Sequence, residues 1–491
     1  MPDNQILQER KEMDARYQWD LTPMYQDDAA WEAELATLDD QVNAMTAFAG
    51  TLKDAVSIGA YLDAATELGR KLSNLYCYAS LRRSEDTRAE DGQSMYARVT
   101  AKYVQALTAM AFAEPEILSL PEETLKAVVQ DEQLADHKFT MENLLRQKPH
   151  TLTASEEKIL ATFGEALGAP AEIADNLQDA DMVFDAVQDG DGKTVEVTGS
   201  NYITLQMSTD RTLRKHSFES YYKGYRQHIN TFASSYAGAV KGATAEATVR
   251  HYDSSRAMSM AGENIPVEVY DNLIDTVRKH MPAMYRYVAL RKKILGVDEL
   301  HYYDVYAPLV GDINVRYTYE QAQQMVLDAV APLGQDYTDL VRKAFAERWI
   351  DVYPNKGKSG GAYSSGTYDS NPYILTNFTG TLDSVSTIAH EMGHSMHTWH
   401  SNHHQPAQYA EYTLFVAEVA STVNENLLIE QLLQKEHRPQ MRLYLLNQYL
   451  ENFKGTVYSQ TMFAEFEREA QAMAERGEAL TPASLKALYK K

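Results

Sequence analysis

Cysteine is almost absent from this chain of 491 residues: Cys77 stands alone, so no internal disulfide bond can form. Long apolar runs are also missing, since none approaches the about 18 residues that span a bilayer. Positive charge is scarce, because 46 Lys and Arg oppose 69 Asp and Glu and leave a net charge of −23. A nucleic-acid-binding protein needs a basic face, which this balance opposes. With no basic stretch followed by an apolar segment at the N-terminus, we expect a cytoplasmic protein that binds neither nucleic acid nor membrane.

Amphipathic periodicity predicts helices over most of the chain, which is long enough for two or three lobes. We expect a helical lobe at 1–115, a middle helical lobe with a β-hairpin at 116–200, and a catalytic domain at 201–491. The main helices are predicted near residues 31–48, 57–81, 93–112, 217–250 and 267–295. A capping box at Thr153 opens a further helix, and Asp189–Gly192 is predicted to be the turn of the hairpin.

The pattern His-Glu-x-x-His occurs at residues 390–394, on a stretch with apolar residues at helical spacing. Asp383 can cap the N-terminus of this predicted helix. On a helix, His390 and His394 lie about 40° apart around the axis and about 6 Å apart along it, so both imidazoles can bind one zinc ion. Glu391 projects from a neighbouring face, where it can hold the metal-bound water molecule and accept its proton.

A third metal ligand has two candidates, of which His400 is the first. Its spacing fits the metzincin pattern, but that pattern needs a glycine at position 397, where this chain has His397. If the helix continues, His400 lies about 15 Å along the axis from His390, which is too far for both to bind one ion.

Glu418 is the second candidate, on another predicted helix. Valine and alanine flank it on both sides, and a carboxylate in apolar surroundings is unfavourable unless it is paired or bound to a metal. Glu411 and Glu425 lie seven residues before and after it, and we expect them to be solvated or supporting carboxylates.

Several motifs in one order resemble the oligoendopeptidase F family of zinc metallopeptidases, which is related to thimet oligopeptidase. These motifs are Gly361-Ala362-Tyr363-Ser364, Gly366–Ser370, Pro372–Leu375, Gly380–Asp383, His390–His394 and Phe415–Thr422. The resemblance runs from about Tyr17 to the C-terminus. It implies a mostly α-helical, multi-lobed zincin peptidase with a small β-sheet beside the metal-binding helix and a deep substrate channel.

The resemblance also implies the roles of individual residues. His390, His394 and Glu418 are the implied ligands of one Zn²⁺ per chain, and Glu391 is the implied general base. The implied partners are short peptides, which the family cleaves at internal bonds. The oligomeric state is not predicted.

Substrate binding is predicted in the glycine-rich stretch that precedes the metal-binding helix. Glycines allow a ligand backbone to come close, and residues 373–378 are predicted to form a strand. An edge strand beside a zinc site can pair with an extended peptide through main-chain hydrogen bonds. We therefore predict that Gly361, Ala362, Tyr363 and Tyr373 bind the substrate.

Family members continue beyond the position of Lys491, and their later segment supplies histidine and tyrosine donors to the oxyanion. No residue after Glu418 matches those donors, so we expect the catalytic domain to be C-terminally incomplete. The predicted function is a zinc-dependent endopeptidase acting on short peptides. The alternatives are a zinc-containing peptide-binding fragment with little or no turnover and a zinc carboxypeptidase, which would require a free peptide terminus.

Overall fold

The computed structural model describes residues 7–310 and 315–491, and this part is predominantly helical, as the sequence predicted. Its α-helices are α1 (Asp28–Leu35), α2 (Leu38–Thr46), α3 (Ala55–Glu85), α4 (Glu90–Met110), α5 (Ala113–Leu118), α6 (Glu122–Val129), α7 (Lys138–Gln147), α8 (Ala154–Asn176), α9 (Tyr202–Gln206), α10 (Arg211–Gln227), α11 (Ile229–Val249), α12 (Ser255–Ala261), α13 (Val267–Leu295), α14 (Tyr319–Val330), α15 (Gln335–Ala346), α16 (Leu382–His404), α17 (Leu414–Lys435), α18 (Pro439–Phe453), α19 (Gln460–Glu475) and α20 (Pro482–Tyr489). Its strands are β1 (Val187–Gln188), β2 (Thr194–Val195), β3 (Ile350–Asp351), β4 (Tyr363–Ser365) and β5 (Tyr373–Leu375). None of the described helices is both long enough and apolar enough to cross a bilayer.

The chain divides into two compact units, each built from two separate stretches. Unit 1 comprises Met1–Lys148 and Asn314–Lys435, whereas unit 2 comprises Pro149–Ile313 and Glu436–Lys491. The domain boundaries predicted at residues 115 and 200 follow chain order and do not coincide with this division. They stay a prediction.

The core of unit 1 forms where α3 and α4 pack together with the shorter helices near the N-terminus. Asp54 caps α3 by accepting the backbone N–H of Ser57, which starts the helix two residues earlier than predicted. Trp31 is fully buried and donates its indole N–H to the carbonyl of Leu75 at 2.9 Å. The single helix predicted over residues 31–48 is in fact two, because the chain breaks between α1 and α2.

Buried charges connect the N-terminal segment of unit 1 to its later stretch. The carboxylate of Asp351, which is 1% exposed, accepts a hydrogen bond from Arg10 at 2.5 Å and lies 2.6 Å from Nζ of the fully buried Lys358. Arg10 also donates to Glu85 at 3.1 Å, and the indole of Trp19 donates to the same carboxylate at 2.6 Å. Each of these charges therefore has an opposite partner, which buried ions require.

The three-stranded sheet of unit 1 has the order β3-β5-β4, with β3 parallel and β4 antiparallel to β5. The strand predicted over residues 373–378 is the shorter β5, and it is the central strand rather than an edge. Tyr373 on β5 is completely buried and packs edge-on against Trp19. The core encloses its side chain, which offers no surface to a peptide here, and substrate binding by Tyr373 stays a prediction. The edge strands are β3 and β4.

Unit 2 packs α8 and α19 against α11, and α10 against α9 and β1. The predicted capping box at Thr153 is present, and β1 pairs with β2 as the predicted hairpin. Its first strand begins at Val187, and Phe184 precedes it. Phe184 instead packs on α10 where Gly224 leaves room, since a Cβ there would lie 2.8 Å from the Phe184 ring.

Asp304 is the completely buried charge at the centre of one polar network in unit 2. Its carboxylate accepts hydrogen bonds from Arg211 at 2.8 and 3.0 Å, from Arg214 at 3.0 Å and from the backbone N–H of His301 at 3.0 Å. Burial acts to raise the pKa of Asp304, but these hydrogen bonds outweigh it and lower the pKa to about 2.

We expect this network to make unit 2 sensitive to acid. Because the folded-state pKa of Asp304 lies below the unfolded value of about 3.9, its stabilisation of about 2 kcal/mol is present above pH 4 and is lost as the pH falls towards 2. Denaturant unfolding followed between pH 2.5 and 7 should show a shallower acid dependence for Asp304→Asn, with lower stability at pH 7. Asp191→Asn, at an exposed hairpin residue, is the matched control. Equal acid dependence in wild type and Asp304→Asn would contradict the assignment.

Candidate metal centre

Helix α16 carries the His-Glu-x-x-His pattern and begins at Leu382, about two turns before His390. Thr381, not Asp383, caps the helix by accepting the backbone N–H of Ser384 at 3.1 Å. Threonine supplies the oxygen that an N-cap requires, while Asp383 lies inside the first turn. Burial and the charge of Glu425 raise the pKa of Asp383. The apolar stripe of α16 is buried at Val385, Ile388, Ala389, Met392 and Met396.

Helices α16 and α17 cross at unusually short range inside the motif itself. A Cβ added to Gly393 would lie 2.6 Å from Cα of Ser421 and 2.7 Å from the carbonyl oxygen of Ala420, so only glycine fits there. The buried side chain of Asn424 fixes the crossing further by donating to the carbonyl of Ala389 at 3.1 Å. This contact brings α17 close enough to share a site with α16.

Three possible ligand atoms converge at this crossing. Nε2 of His394 lies 3.1 Å from Nε2 of His390, and Oε2 of Glu418 lies 3.4 and 3.5 Å from these two atoms. Zinc ligands at about 2.0–2.1 Å in tetrahedral geometry are about 3.3 Å apart. The spacing and the donor types, two imidazoles and one carboxylate, therefore fit a single zinc ion with a fourth position open.

Glu425 supports this arrangement from a position two turns beyond Glu418 on α17. Its carboxylate accepts a hydrogen bond from Nδ1 of His390, which leaves the Nε2 lone pair of His390 for a metal. Burial acts to lower the pKa of His390, but the bond and charge of Glu425 outweigh it and the pKa is raised. His394 hydrogen-bonds to the backbone of Ala417, and burial lowers its pKa.

Glu391 is not part of the ligand cluster, and the residue is buried, at 6% exposed. Burial raises the pKa of Glu391 to about 7, and the charges of Glu418 and Glu425 act in the same direction. His390 and a hydrogen bond from the backbone N–H of Ser364 oppose the rise. A bound cation would also favour the carboxylate form. A carboxyl group with a pKa near neutrality is suited to accept and return a proton.

The edge strand β4 lies directly beside this base. The hydroxyl groups of Ser364 on β4 and Ser395 on α16 are hydrogen-bonded at 2.8 Å, which holds the strand on the helix. Of the residues predicted to bind substrate, Gly361 and Ala362 precede β4, and Tyr363 is its first residue. The side chain of Tyr363 packs against the core, so this strand can offer a peptide its backbone more than its side chains.

His400, the rejected third ligand, lies further along α16 and is not part of the ligand cluster. Its ring faces that of Tyr337 at 6.3 Å. Glu418 is brought to the two histidines, but its surroundings differ from those expected. Its side chain is 61% exposed, since the neighbouring Val416 and Val419 are themselves exposed on α17.

Gly393 and Asn424 were not singled out from the sequence, although both define how α16 meets α17. A glycine inside a helix is a usable signal, because it destabilises a helix unless close packing requires it. Ser364 was noticed only as part of a motif. Its backbone role depends on the pairing of strands that are three residues long, and no sequence pattern reveals that pairing.

Comparison with known proteins indicates the family of this chain. Residues 204–491 match peptidase family M3, and residues 116–184 match the oligopeptidase F family. The chain is 40% identical to oligopeptidase PepF of Bacillus subtilis over 98% of its length and 72% of that protein. It is also 40% identical to group B oligopeptidase PepB of Streptococcus agalactiae, covering 98% of this chain and 80% of that protein.

Solved structures of peptidases superpose on this chain. A putative peptidase from Chlamydophila abortus superposes with a TM-score of 0.91 at 33% identity, over 99% of this chain and 82% of that one. Oligoendopeptidase-F from Enterococcus faecium superposes with a TM-score of 0.69 at 32% identity, over 94% of this chain and 80% of that one. With the family match covering more than half of its residues, this chain belongs to peptidase family M3, among the oligoendopeptidase F proteins.

Proposed function

We propose that this protein is a zinc-dependent endopeptidase that hydrolyses internal bonds of short peptides. The observation that carries the proposal is the convergence of His390, His394 and Glu418 at zinc-ligand spacing, with the buried carboxyl group of Glu391 beside them. The oligopeptidase relatives support the peptide substrate. They lend no support to the alternative of a peptide-binding fragment without turnover.

In this proposal each ligand residue has a defined atom. His390 and His394 would hold the ion through Nε2, and Glu418 would hold it through Oε2. When bound, zinc lowers the pKa of a water molecule and polarises a peptide carbonyl group. Glu425 keeps the proton on Nδ1 of His390, so that the correct nitrogen is available.

Glu391 moves the protons of the reaction. Its carboxylate accepts a proton from the attacking water and then delivers that proton to the nitrogen of the leaving amine, so the residue ends in its starting state. The backbone N–H of Ser364 on β4 donates a hydrogen bond to this carboxylate and so fixes its orientation on α16. Gly361, Ala362 and Tyr363 would bind an extended peptide through the main chain along β4, which is an edge strand of the sheet in the part of the chain that the structure describes.

The proposal is tested with an end-blocked, internally quenched peptide, beside metal analysis of the same sample. We expect cleavage at an internal bond, about one zinc per chain, loss of activity with a chelator and recovery when zinc is restored. Blocked ends exclude a carboxypeptidase, which needs a free terminus. Zinc at one per chain without any turnover would overturn the endopeptidase assignment and favour a peptide-binding role.

Glu425→Gln is expected to weaken zinc affinity by about 10- to 100-fold, because the amide no longer fixes the His390 tautomer as the carboxylate does. Competition with a chromogenic chelator measures this change. Activity should return at higher zinc concentration, since the three ligands remain. Glu430→Gln, at an exposed residue of the same helix, is the control. Unchanged affinity in Glu425→Gln would show that the His390 contact does not tune the site.

A further inference from the structure

Beside the metal centre, unit 1 contains a polar cavity of about 530 Å³. Its walls come from α3, from β4 and the loop that follows it, from the second half of α16, and from residues 407–412. Ser364, whose backbone N–H contacts Glu391, is part of the lining. Tyr412 is another part, and its ring stacks on His397 at 3.6 Å, one turn after His394 on α16. The polar cavity therefore shares Ser364 with the surroundings of the proposed catalytic centre.

One positive charge lines the polar cavity, but it is already neutralised. Arg70 donates to both carboxylate oxygens of Asp369 at 2.5 and 3.0 Å, and to Glu67 at 2.9 Å. Its guanidinium also lies over the ring of Tyr368, 5.0 Å from the centroid. The hydrogen bonds with Asp369 raise the pKa of Arg70 further above its usual range. Arg70 is thus committed to its acidic neighbours and offers little to an anionic group of a ligand.

The negative charge in the lining has no such partner. Glu411 is exposed into the polar cavity, and within the described residues it forms no ion pair. Its neighbours in the lining, Gln408, Ala410 and Tyr412, are neutral. Because Arg70 is already paired with Asp369 and Glu67, which lie outside the lining, Glu411 gives the polar cavity a negative charge. A cationic group is the kind of ligand group that can pair with Glu411 there.

We propose that the polar cavity is a subsite for a cationic group of the peptide, which pairs with Glu411. The group is either a lysine or arginine side chain or the peptide's own N-terminal ammonium, because both present the same N–H donors to a carboxylate. This inference rests on the proposed peptidase function and adds a charge preference to it. The subsite disfavours an acidic side chain, which would face an unpaired carboxylate.

The expected preference is modest, because Glu411 is exposed to solvent. Ion pairs of this kind change an equilibrium by about two- to fivefold, and salt screens them. We expect peptides with lysine at one position near the scissile bond to be cleaved with about two- to fivefold higher kcat/KM than peptides with norleucine there, mostly through KM. This ratio should approach one at about 0.5 M salt.

The experiment scans lysine, norleucine and glutamate through three positions on each side of the scissile bond of an end-blocked peptide. Glu411→Gln should abolish the lysine preference, and Glu411→Lys should reverse it in favour of glutamate. Glu123→Gln makes the same change in net charge at an exposed residue of α6 outside the cavity and serves as control. Comparing acetylated with free N-termini separates the two sources of positive charge. A lysine preference that persists unchanged in Glu411→Gln would overturn the assignment.

Binding gives a readout that does not depend on turnover. The dissociation constants of fluorescent lysine and norleucine peptides can be measured by anisotropy on Glu391→Gln protein, which is expected to leave them uncut. Equal values would overturn the subsite even if the enzyme is active. If neither peptide is cleaved by zinc-loaded wild type but lysine binds more tightly, the proposed peptidase function fails while the cationic subsite stands.

Discussion

Replacing Glu391 with glutamine is expected to lower kcat for a short peptide by about 10²- to 10⁴-fold, the range lost with a general base. Glutamine keeps the shape of a side chain that is only 6% exposed, so the core around it should not change. The amide cannot accept a proton from water and return it to the amine. Steady-state kinetics on an internally quenched peptide measure the loss.

Metal content separates this effect from a ligand defect. Glu391 lies outside the cluster of His390, His394 and Glu418, so Glu391→Gln should retain zinc at the wild-type level. Glu425→Gln is the informative partner variant, because added zinc should restore its activity while leaving Glu391→Gln inactive. Wild-type turnover by fully loaded Glu391→Gln would exclude Glu391 as the base.

Replacing Gly393 with alanine is expected to disrupt both stability and the metal centre. The new methyl group would lie 2.6 Å from Cα of Ser421 and 2.7 Å from the carbonyl oxygen of Ala420, and backbone cannot rotate away as a side chain can. Overpacking of this kind costs about 1–3 kcal/mol. Since α17 must move to relieve it, Glu418 moves as well, and a displacement of about 1 Å lowers activity by about 10²-fold.

Thermal unfolding, zinc titration and peptide cleavage test this variant together. Gly168→Ala on α8 is the control, because a methyl group there meets no atom within 4 Å. That change should be neutral or slightly stabilising, since alanine restricts the unfolded chain. If Gly393→Ala bound zinc and cleaved peptide like wild type, the close crossing of α16 and α17 would not be what positions Glu418.

Local chemistry made part of the centre predictable from the sequence. His390 and His394 fall on one face because the helical repeat is fixed, and α16 indeed continues through His400 to His404. Glu418 was chosen because apolar neighbours flank it, yet those neighbours are exposed and its carboxylate is largely solvated. The apolar surroundings expected for Glu418 were thus wrong, whereas its proximity to the two histidines is observed and its role as a ligand stays a prediction.

Features that depend on contacts between distant segments were harder to foresee. The sequence predicted β5 as an edge strand, whereas β3 and β4 cover both of its sides. Each strand is only two or three residues long, so no alternating pattern marks it. The division into two discontinuous units is also invisible to composition, because the chain leaves unit 1 and returns to it without a linker of distinctive residues.

The interruption of unit 1 by unit 2 has a consequence for biosynthesis. Arg10 leaves the ribosome early, but its buried partner Asp351 follows more than three hundred residues later, as does Lys358, the other cation paired with Asp351. The ligand helices α16 and α17 are the last elements of unit 1 to be made.

At about 5–20 residues per second, the roughly 290 residues between Lys148 and Lys435 take about 15 to 60 s to translate. Throughout that interval Arg10 lacks Asp351 and Trp19 lacks Tyr373, and the residues of the proposed metal centre have not all been made. The peptidase is therefore inactive until unit 1 closes around its own later stretch.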